Sequence, residues 1–393
     1  MHLFIIDLFI SLDTVAPLID GLNRNKQKTK ICFANPLQDF SNHKLVQYLN
    51  KSKFNENHGT LCLGIYNKFF FSLLKIIMSF PLIILKKLNR IWKNIYSNKI
   101  FFNEDQLIKF LNKNQIKTVT LENSLPSKKK NIIINACNKI EIPIICIASG
   151  LFTQKKKEKI GINFFEKIDF FLTPNLFAPY SKNILNSKKF ILCGSPRYDY
   201  EWIKKLKEIY DYKYDLKNKK LKIAYFTRTT SYNFNQHLEL IKKLKQIKNV
   251  EIKLGNKPRE IVPLKVSLFG TDDLNTTELI IWSDIVVSSA TSVLVESVQR
   301  DRLTICLEYL TPERDNYASH FSDHERVVSI AKSSEKVINI IDNFNFNRKS
   351  KVINKNDISI FLDSFIHMKN EGYNIVENII KYYLNIKTLY KNK

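Results

Sequence analysis

The chain has 393 residues, with 62 Lys and Arg against 37 Asp and Glu, a formal net charge of +25. A hydrophobic share of 44% excludes a disordered chain, and the length exceeds what one core usually holds, so two domains are expected. The basic excess points to an anionic partner, namely a phosphorylated substrate, an anionic membrane surface or nucleic acid; part of it is charge on solvated faces in a chain rich in Lys, Asn and Ile.

The N-terminus carries Asp7 inside its apolar run and lacks a basic leader. It reads as a first strand, His2–Ile10, and not as a signal peptide. Helix Thr14–Leu22, strand Lys28–Ala34 and helix Asn42–Leu49 follow. Past the next stretch come helix Glu104–Leu111, strand Lys117–Leu121, helix Lys128–Lys139, and strands Ile142–Ala148, Phe170–Thr173 and Lys189–Cys193. The polar, basic segment Lys204–Lys220 reads as a junction. A second series has strands Leu221–Thr227, Val250–Leu254, Ile285–Ser288 and Leu303–Leu307. Its helices are Phe234–Ile247, Thr276–Trp282 and Thr291–Gln299, and Asp357–Leu389 reads as a helical tail. Apolar runs alternating with helical periods imply an α/β fold of parallel sheets, with two similar architectures in tandem. Six scattered cysteines, mostly in apolar runs, read as buried free thiols of a reducing compartment.

Residues 57–103 break the alternation. They hold no acidic residue and seven basic ones: Lys68, Lys75, Lys86, Lys87, Arg90, Lys93 and Lys99. At about 100° per residue, Lys68, Ser72, Lys75 and Ser79 share one stripe, as do Lys86, Arg90, Lys93 and Ser97. Pro81 interrupts the helix between them. A wide apolar face with a basic stripe fits an interfacial anchor whose membrane-binding residues are Lys68, Lys75, Lys86, Arg90 and Lys93. A helical hairpin packed on the protein is the alternative; a membrane span fits less well.

The most informative stretch is Ser283–Tyr309: strand, tight hydroxyl-rich loop, helix, strand. Ser288, Ser289, Thr291 and Ser292 sit where a strand feeds a helix N-terminus, whose free amides and dipole favour phosphate. Such turns are also ordinary helix caps. Glu296 lies on the same helix, within reach of a sugar attached to that phosphate. Arg228 and Thr229 end the second series' first strand, and Lys257 and Arg259 follow its next. An arginine fork suits phosphate, and ligands of such sheets bind at the strands' carboxyl ends; each of these cations can equally be surface charge. For a general base the candidates are Asp13, read as following the first strand and opening a helix, and Glu122, after strand Lys117–Leu121. Asp13 can instead be a helix-start charge and Glu122 a turn residue. His320 and His324, four apart, lack a third ligand beyond Asp323, so no metal is expected.

Several strings resemble the GT-B glycosyltransferase superfamily, in its surface-polysaccharide and CDP-glycerol glycerophosphotransferase-like branch. Phe190-Ile-Leu-Cys-Gly-Ser-Pro-Arg-Tyr-Asp199 is similar to the junction ending the N-terminal domain, and Ser283–Glu296 to the donor-phosphate turn and helix, where a Glu at the place of Glu296 binds the donor ribose. Asp301–Leu307 resembles the strand that follows, and Phe4–Pro17 the first strand and acceptor-side turn. The resemblance implies two Rossmann-like domains facing a central cleft: an acceptor domain over 1–198 with a basic amphipathic insertion at about 57–103, a nucleotide-donor domain over 199–345, and a helical tail over 346–393 packing back on the first. It implies a metal-independent glycosyltransferase of polysaccharide or capsule biosynthesis, without cofactor. That enzyme would move a sugar from a nucleotide-diphosphate donor to a lipid-linked glycan acceptor, in the cytoplasm on the inner membrane face. Ser149 stands where the glycerophosphotransferase group has a catalytic His, and Lys253–Arg259 lacks the second one, which argues against glycerophosphoryl transfer. That reaction and a nucleotide-sugar 2-epimerase-like activity remain the alternatives among enzymes. A basic nucleic-acid-binding protein is the alternative of another class, and no nucleic-acid partner is expected, since no such signature accompanies the charge.

Overall fold

The computed structural model describes residues 1–6, 9–34, 43–60, 104–123, 125, 127–148, 165–176, 182–210, 220–226, 234–255, 276–311, 320–347, 353–366 and 374–391. The insertion beyond residue 60, with its five candidate membrane-binding residues, lies outside them. So do Arg228, Thr229, Lys257 and Arg259.

Two all-parallel sheets form the frame. The first is built from β1 (His2–Ile6), β2 (Thr29–Phe33), β3 (Asn55–Thr60), β4 (Thr118–Glu122), β5 (Ile144–Ile147), β6 (Phe170–Thr173) and β7 (Phe190–Leu192), in the order β3-β2-β1-β4-β5-β6-β7. The second holds β8 (Leu221–Phe226), β9 (Val250–Gly255), β10 (Ile285–Ser288), β11 (Leu303–Leu307) and β12 (Ser329–Ala331), in the order β12-β11-β10-β8-β9. Helices α1 (Phe9–Arg24), α2 (Lys44–Leu49), α3 (Glu104–Lys113) and α4 (Ser127–Lys139) connect strands of the first sheet. After β7 come a 3-10 turn (Pro196–Tyr198) and α5 (Tyr200–Tyr210). The second sheet carries α6 (Phe234–Gln246), α7 (Thr276–Trp282), α8 (Ser292–Gln299) and α9 (Ser334–Asn347), and α10 (Lys355–Ile366) and α11 (Ile375–Lys391) end the chain.

Central strands of a sheet covered on both faces are apolar throughout, with successive side chains entering opposite cores. In β1, Leu3 and Ile5 enter one cluster while Phe4 and Ile6 enter the other. In β8, Leu221, Ile223 and Tyr225 enter one, Ala224 and Phe226 the other.

Five expectations are corrected. Strand β1 stops at Ile6, because Phe9 and Ile10 begin α1; a short apolar run suits a buried strand or a buried helix equally. Asp13 therefore lies inside α1 and does not open it. Residues 57–60, placed in the insertion, belong to β3, and β3 and β12 were not foreseen; both are edge strands, where a polar or three-residue sequence is tolerated. The segment Lys204–Lys220 is not all junction, since α5 runs to Tyr210 and buries Trp202, Ile203, Leu206 and Tyr210 at helical spacing behind its lysines. Glu122 is the last residue of β4 and not a turn residue.

The two terminal helices tie the sheets together. In α11, Val376 and Ile380 lie against Gly21 of α1, where a side chain would meet Ile380 Cδ1 at 2.2 Å. The Tyr383 hydroxyl meets Thr120 Oγ1 at 2.8 Å and its ring stacks on Phe4. Helix α10 packs against α8 of the second sheet, with Phe361 and Phe365 on Phe321 and the His324 ring edge-on to Phe361. Gly194, at φ +78°, lets the chain turn after β7 under this tail; a Cβ there would lie 2.8 Å from the Ile366 carbonyl oxygen. Gly194→Ala is expected to destabilise by roughly 1–3 kcal/mol, read as a lower denaturant midpoint, from the strained φ and the clash together. A wild-type midpoint would show that the turn relaxes freely. No helix among the described residues is long and apolar enough to cross a membrane.

Candidate active site

In an open parallel sheet, the connections leaving two adjacent strands in opposite directions open a crevice at their carboxyl ends. The first sheet switches direction between β1 and β4, the second between β8 and β10. Asp13 and Glu122 lie near the first of these places, and Ser288, Ser289, Thr291, Ser292 and Glu296 near the second.

At the first lie Asp13, in the second turn of α1, and Glu122, at the end of β4 and 2% exposed. Asp13 keeps part of its surface open. Even so, desolvation pushes its carboxyl up from 3.8 to about 6. Arg197 opposes the rise, Glu296 and Glu122 reinforce it, and Arg300 opposes it more weakly. Asp13 thus senses Glu122, Glu296 and both guanidiniums, and stands at the centre of one electrostatic cluster.

At the second, Ser288 ends β10 and the turn leads into α8. Ser288 and Ser289 are fully buried. Ser288 Oγ lies 3.1 Å from Thr291 Oγ1, and Ser289 donates to the Leu310 carbonyl at 3.5 Å. Thr291 is the N-cap, yet its side chain makes no capping bond and faces Ser288 instead. Thr291, Ser292 and Val293 keep partial exposure. The surface offered to a phosphate is thus the start of α8 and its amides, with the Ser288 and Ser289 hydroxyls held beneath it.

Glu296, one turn further, is the hub. Its Oε2 accepts from Arg197 Nη2 at 2.7 Å; its Oε1 accepts from Thr277 Oγ1 at 2.9 Å and Arg300 Nε at 3.3 Å. Side-chain exposure is 7% for Arg197, 4% for Glu296 and 2% for Arg300. Burial works to raise the Glu296 carboxyl, but Arg197, Arg300 and the Thr277 hydroxyl outweigh it and hold it below its ordinary value. Burial likewise works against the Arg197 charge and is outweighed by Tyr198, Glu296 and Asp13.

Arg197 comes from the turn after the first sheet and Glu296 from the second, so this ion pair spans the boundary between them. Three more contacts span it: Lys44 Nζ to Glu278 Oε1 at 2.6 Å, Gln299 Nε2 to the Tyr198 carbonyl at 2.7 Å, and the Tyr198 hydroxyl to the Ser292 carbonyl at 3.3 Å.

Sequence reasoning named Asp13, Glu122, Ser288, Ser289, Thr291, Ser292 and Glu296; of these Glu296 and Ser292 are bonded across the boundary, Asp13 senses Glu122 and Glu296, and Ser288, Ser289 and Thr291 bond within the second domain. It missed Arg197, Arg300 and Thr277. Arg300, four residues after Glu296 on the same helix, was findable from helical spacing. Arg197 stood in view inside Gly194–Asp199, but nothing local tied it to Glu296. His320 and His324 lie in a 3-10 turn, His320 Nδ1 at 3.8 Å from Asp323, and no metal-ligand cluster occurs among the described residues. The five described cysteines are buried thiols outside any disulfide.

No protein-family model matches the chain, and no curated protein matches it in sequence. Solved structures do. A Listeria monocytogenes protein assigned as a UDP-N-acetylglucosamine 2-epimerase superposes with a TM-score of 0.59 at 12% identity, covering 98% of this chain and 96% of that one. The Neisseria meningitidis UDP-GlcNAc 2-epimerase bound to UDP-GlcNAc gives 0.54 at 13%, covering 98% and 99%. The wall teichoic acid polymerase TagF gives 0.54 at 12%, covering 98% and 90%. With two parallel-sheet Rossmann-like domains and this likeness over nearly its whole length, the chain has the GT-B fold.

Proposed function

We propose that the protein is a nucleotide-sugar glycosyltransferase. One observation carries the reading: a carboxylate pair at one switch point and a phosphate-type helix start at the other are joined across the seam by Arg197 and Glu296. Glycosyl transfer needs both halves. The acceptor hydroxyl gives its proton to Asp13 as its oxygen bonds to the sugar's anomeric carbon. The bond from that carbon to the diphosphate oxygen breaks, and the nucleoside diphosphate leaves with its negative charge met by the α8 amides and Arg228. Glu296 takes the ribose hydroxyls, and Lys257 and Arg259 belong to the same donor side. Among the solved structures, the Neisseria enzyme is described as bound to UDP-GlcNAc, which supports a nucleotide-sugar donor.

The second reading is a 2-epimerase-like reaction. It is favoured by the coupling of Asp13 with Glu122, since inversion at a carbon needs one group to take a proton and another to return one. Incubation with UDP-, GDP-, CDP- and CMP-sugars in deuterated water separates the two. Nucleotide release dependent on a glycan acceptor supports transfer, and deuterium at C2 of the recovered sugar supports epimerisation. Neither outcome with any donor would remove the enzymatic reading.

The acceptor is proposed to be lipid-linked, with residues 61–103 holding the enzyme on an anionic membrane. Each basic residue near such a surface contributes about 1 kcal/mol. Changing Lys86, Arg90 and Lys93 together to Glu is therefore expected to release the protein from anionic vesicles in a flotation assay. Unchanged flotation would rule out the electrostatic anchor.

A further inference from the structure

Arg197 belongs to no predicted site, yet it occupies the position between the two halves of the proposed one. It is delivered by the 3-10 turn that Pro196 opens and that packs on α1, the helix of Asp13. Its guanidinium crosses the seam to Glu296 at 2.7 Å and is almost wholly buried. The turn itself is pinned: Asp199 accepts from the Trp202 amide at 3.1 Å and from the Val376 amide of α11 at 3.0 Å. A buried cation held this rigidly is poorly explained as a source of stability alone, because desolvation cancels much of a buried ion pair's Coulombic gain. Its placement beside Asp13 and on Glu296 has a chemical use.

We propose that Arg197 is a positioning residue of the active site, fixing the donor-side Glu296 from the opposite domain and supplying the positive charge that keeps Asp13 a carboxylate when it must accept a proton. The proposal rests on the assignment of Asp13 as base and Glu296 as ribose ligand. Four charged groups act on Asp13: Arg197 from the 3-10 turn, Glu296 and Arg300 from α8, and Glu122 from the end of β4. The other charges on α1 lie about two to three turns further along, where Asp20 pairs with Arg24 and Lys205, and Arg24 with Glu377 of α11. On α2, Lys44 is engaged by Glu278. Arg300 is already bonded to Glu296 through Nε, on the oxygen that Arg197 does not use. Of the two guanidiniums, Arg197 acts more strongly on Asp13.

The test compares Arg197→Gln and Arg197→Lys with wild type in the full chain. Three quantities are read: the pH profile of turnover, UDP affinity by calorimetry at pH 8, and the Asp13 carboxyl titration by carbon NMR, assigned by difference from Asp13→Asn. Wild type is expected to show an acid limb near pH 6. In Arg197→Gln the limb and the NMR titration should move together to higher pH by one unit or more, and UDP should bind about tenfold more weakly. Arg197→Lys keeps the charge but loses the fork. It should return the limb to within a few tenths of wild type while UDP binding stays weakened. A purely structural role would lower the melting temperature of both variants with the titration unmoved, and that result overturns the proposal. If Arg197→Gln does not fold, Arg197→Lys decides: a wild-type UDP affinity or a limb shifted by a full unit overturns it. If wild type turns over no donor, the glycosyltransferase reading fails, and the NMR titration still tests what Arg197 does to Asp13.

Discussion

Asp13→Asn is expected to lower turnover by about 10²–10⁴-fold, the usual range for a general base, while nucleoside diphosphate affinity stays near wild type. It is also expected to stabilise the protein, and this second effect has a distinctive pH signature. The folded-state carboxyl is raised from 3.8 to about 6, so the folded chain binds this proton more tightly than the unfolded chain does. Between these values stability falls as pH rises, and above pH 6 the full penalty is present; below pH 4 both states are protonated and it vanishes. For a group keeping part of its surface open, the penalty is roughly 1–3 kcal/mol. Denaturation midpoints of the variant and wild type should therefore agree near pH 4 and separate in the variant's favour by pH 7.5. A loss of both activity and stability at pH 7.5 would mean that Asp13 is a structural ion-pair member and not a base.

Glu296→Ala is expected to destabilise by about 3–5 kcal/mol, because it leaves Arg197 and Arg300 buried with no anion between them. Thr277 loses its acceptor as well. Glu296→Gln keeps one carbonyl acceptor and should cost less, which makes it the variant for binding studies. Its UDP affinity is expected to fall about tenfold or more, the range for a hydrogen bond to a charged group. Pyrophosphate has no ribose and should bind it like wild type. Calorimetry with the two ligands separates a ribose contact from a general distortion of the α8 start. Equal losses for both ligands would sink the ribose assignment and leave Glu296 as the clasp between the domains.

Both expectations rest on contacts across the seam, and these were the hardest features to read from residues. The strands β1, β8 and β10 were easy because they lie inside sheets covered on both faces, so each is mostly apolar whatever its partners are. The polar edge strand β3 and the three-residue β12 carry no such mark. The boundary between β1 and α1 was misplaced for a related reason: Leu8 to Ile10 suits either state, and helix packing against α11 and the 3-10 turn decides it. The start of α8 was legible because a strand, small hydroxyl residues and a helical period are local. That Ser288 and Ser289 lie beneath the surface while Thr291 and Ser292 keep partial exposure was not, because burial depends on what folds over the turn.

What the amino-acid sequence determined by itself is the α/β class, the doubling of the architecture and the place of the hydroxyl-rich turn between β10 and α8, each of which rests on periods of two or 3.6 residues within one segment. What only the tertiary structure decided is the partnership of Glu296 with Arg197, Arg300 and Thr277, and the desolvation that raises Asp13 against the pull of Arg197. Arg197 and Glu296 are 99 residues apart, one in the 3-10 turn after the first sheet and one in a helix of the second domain. Charge interactions depend on separation in space and on exclusion of water, and neither is encoded at a single position until the two domains close on each other.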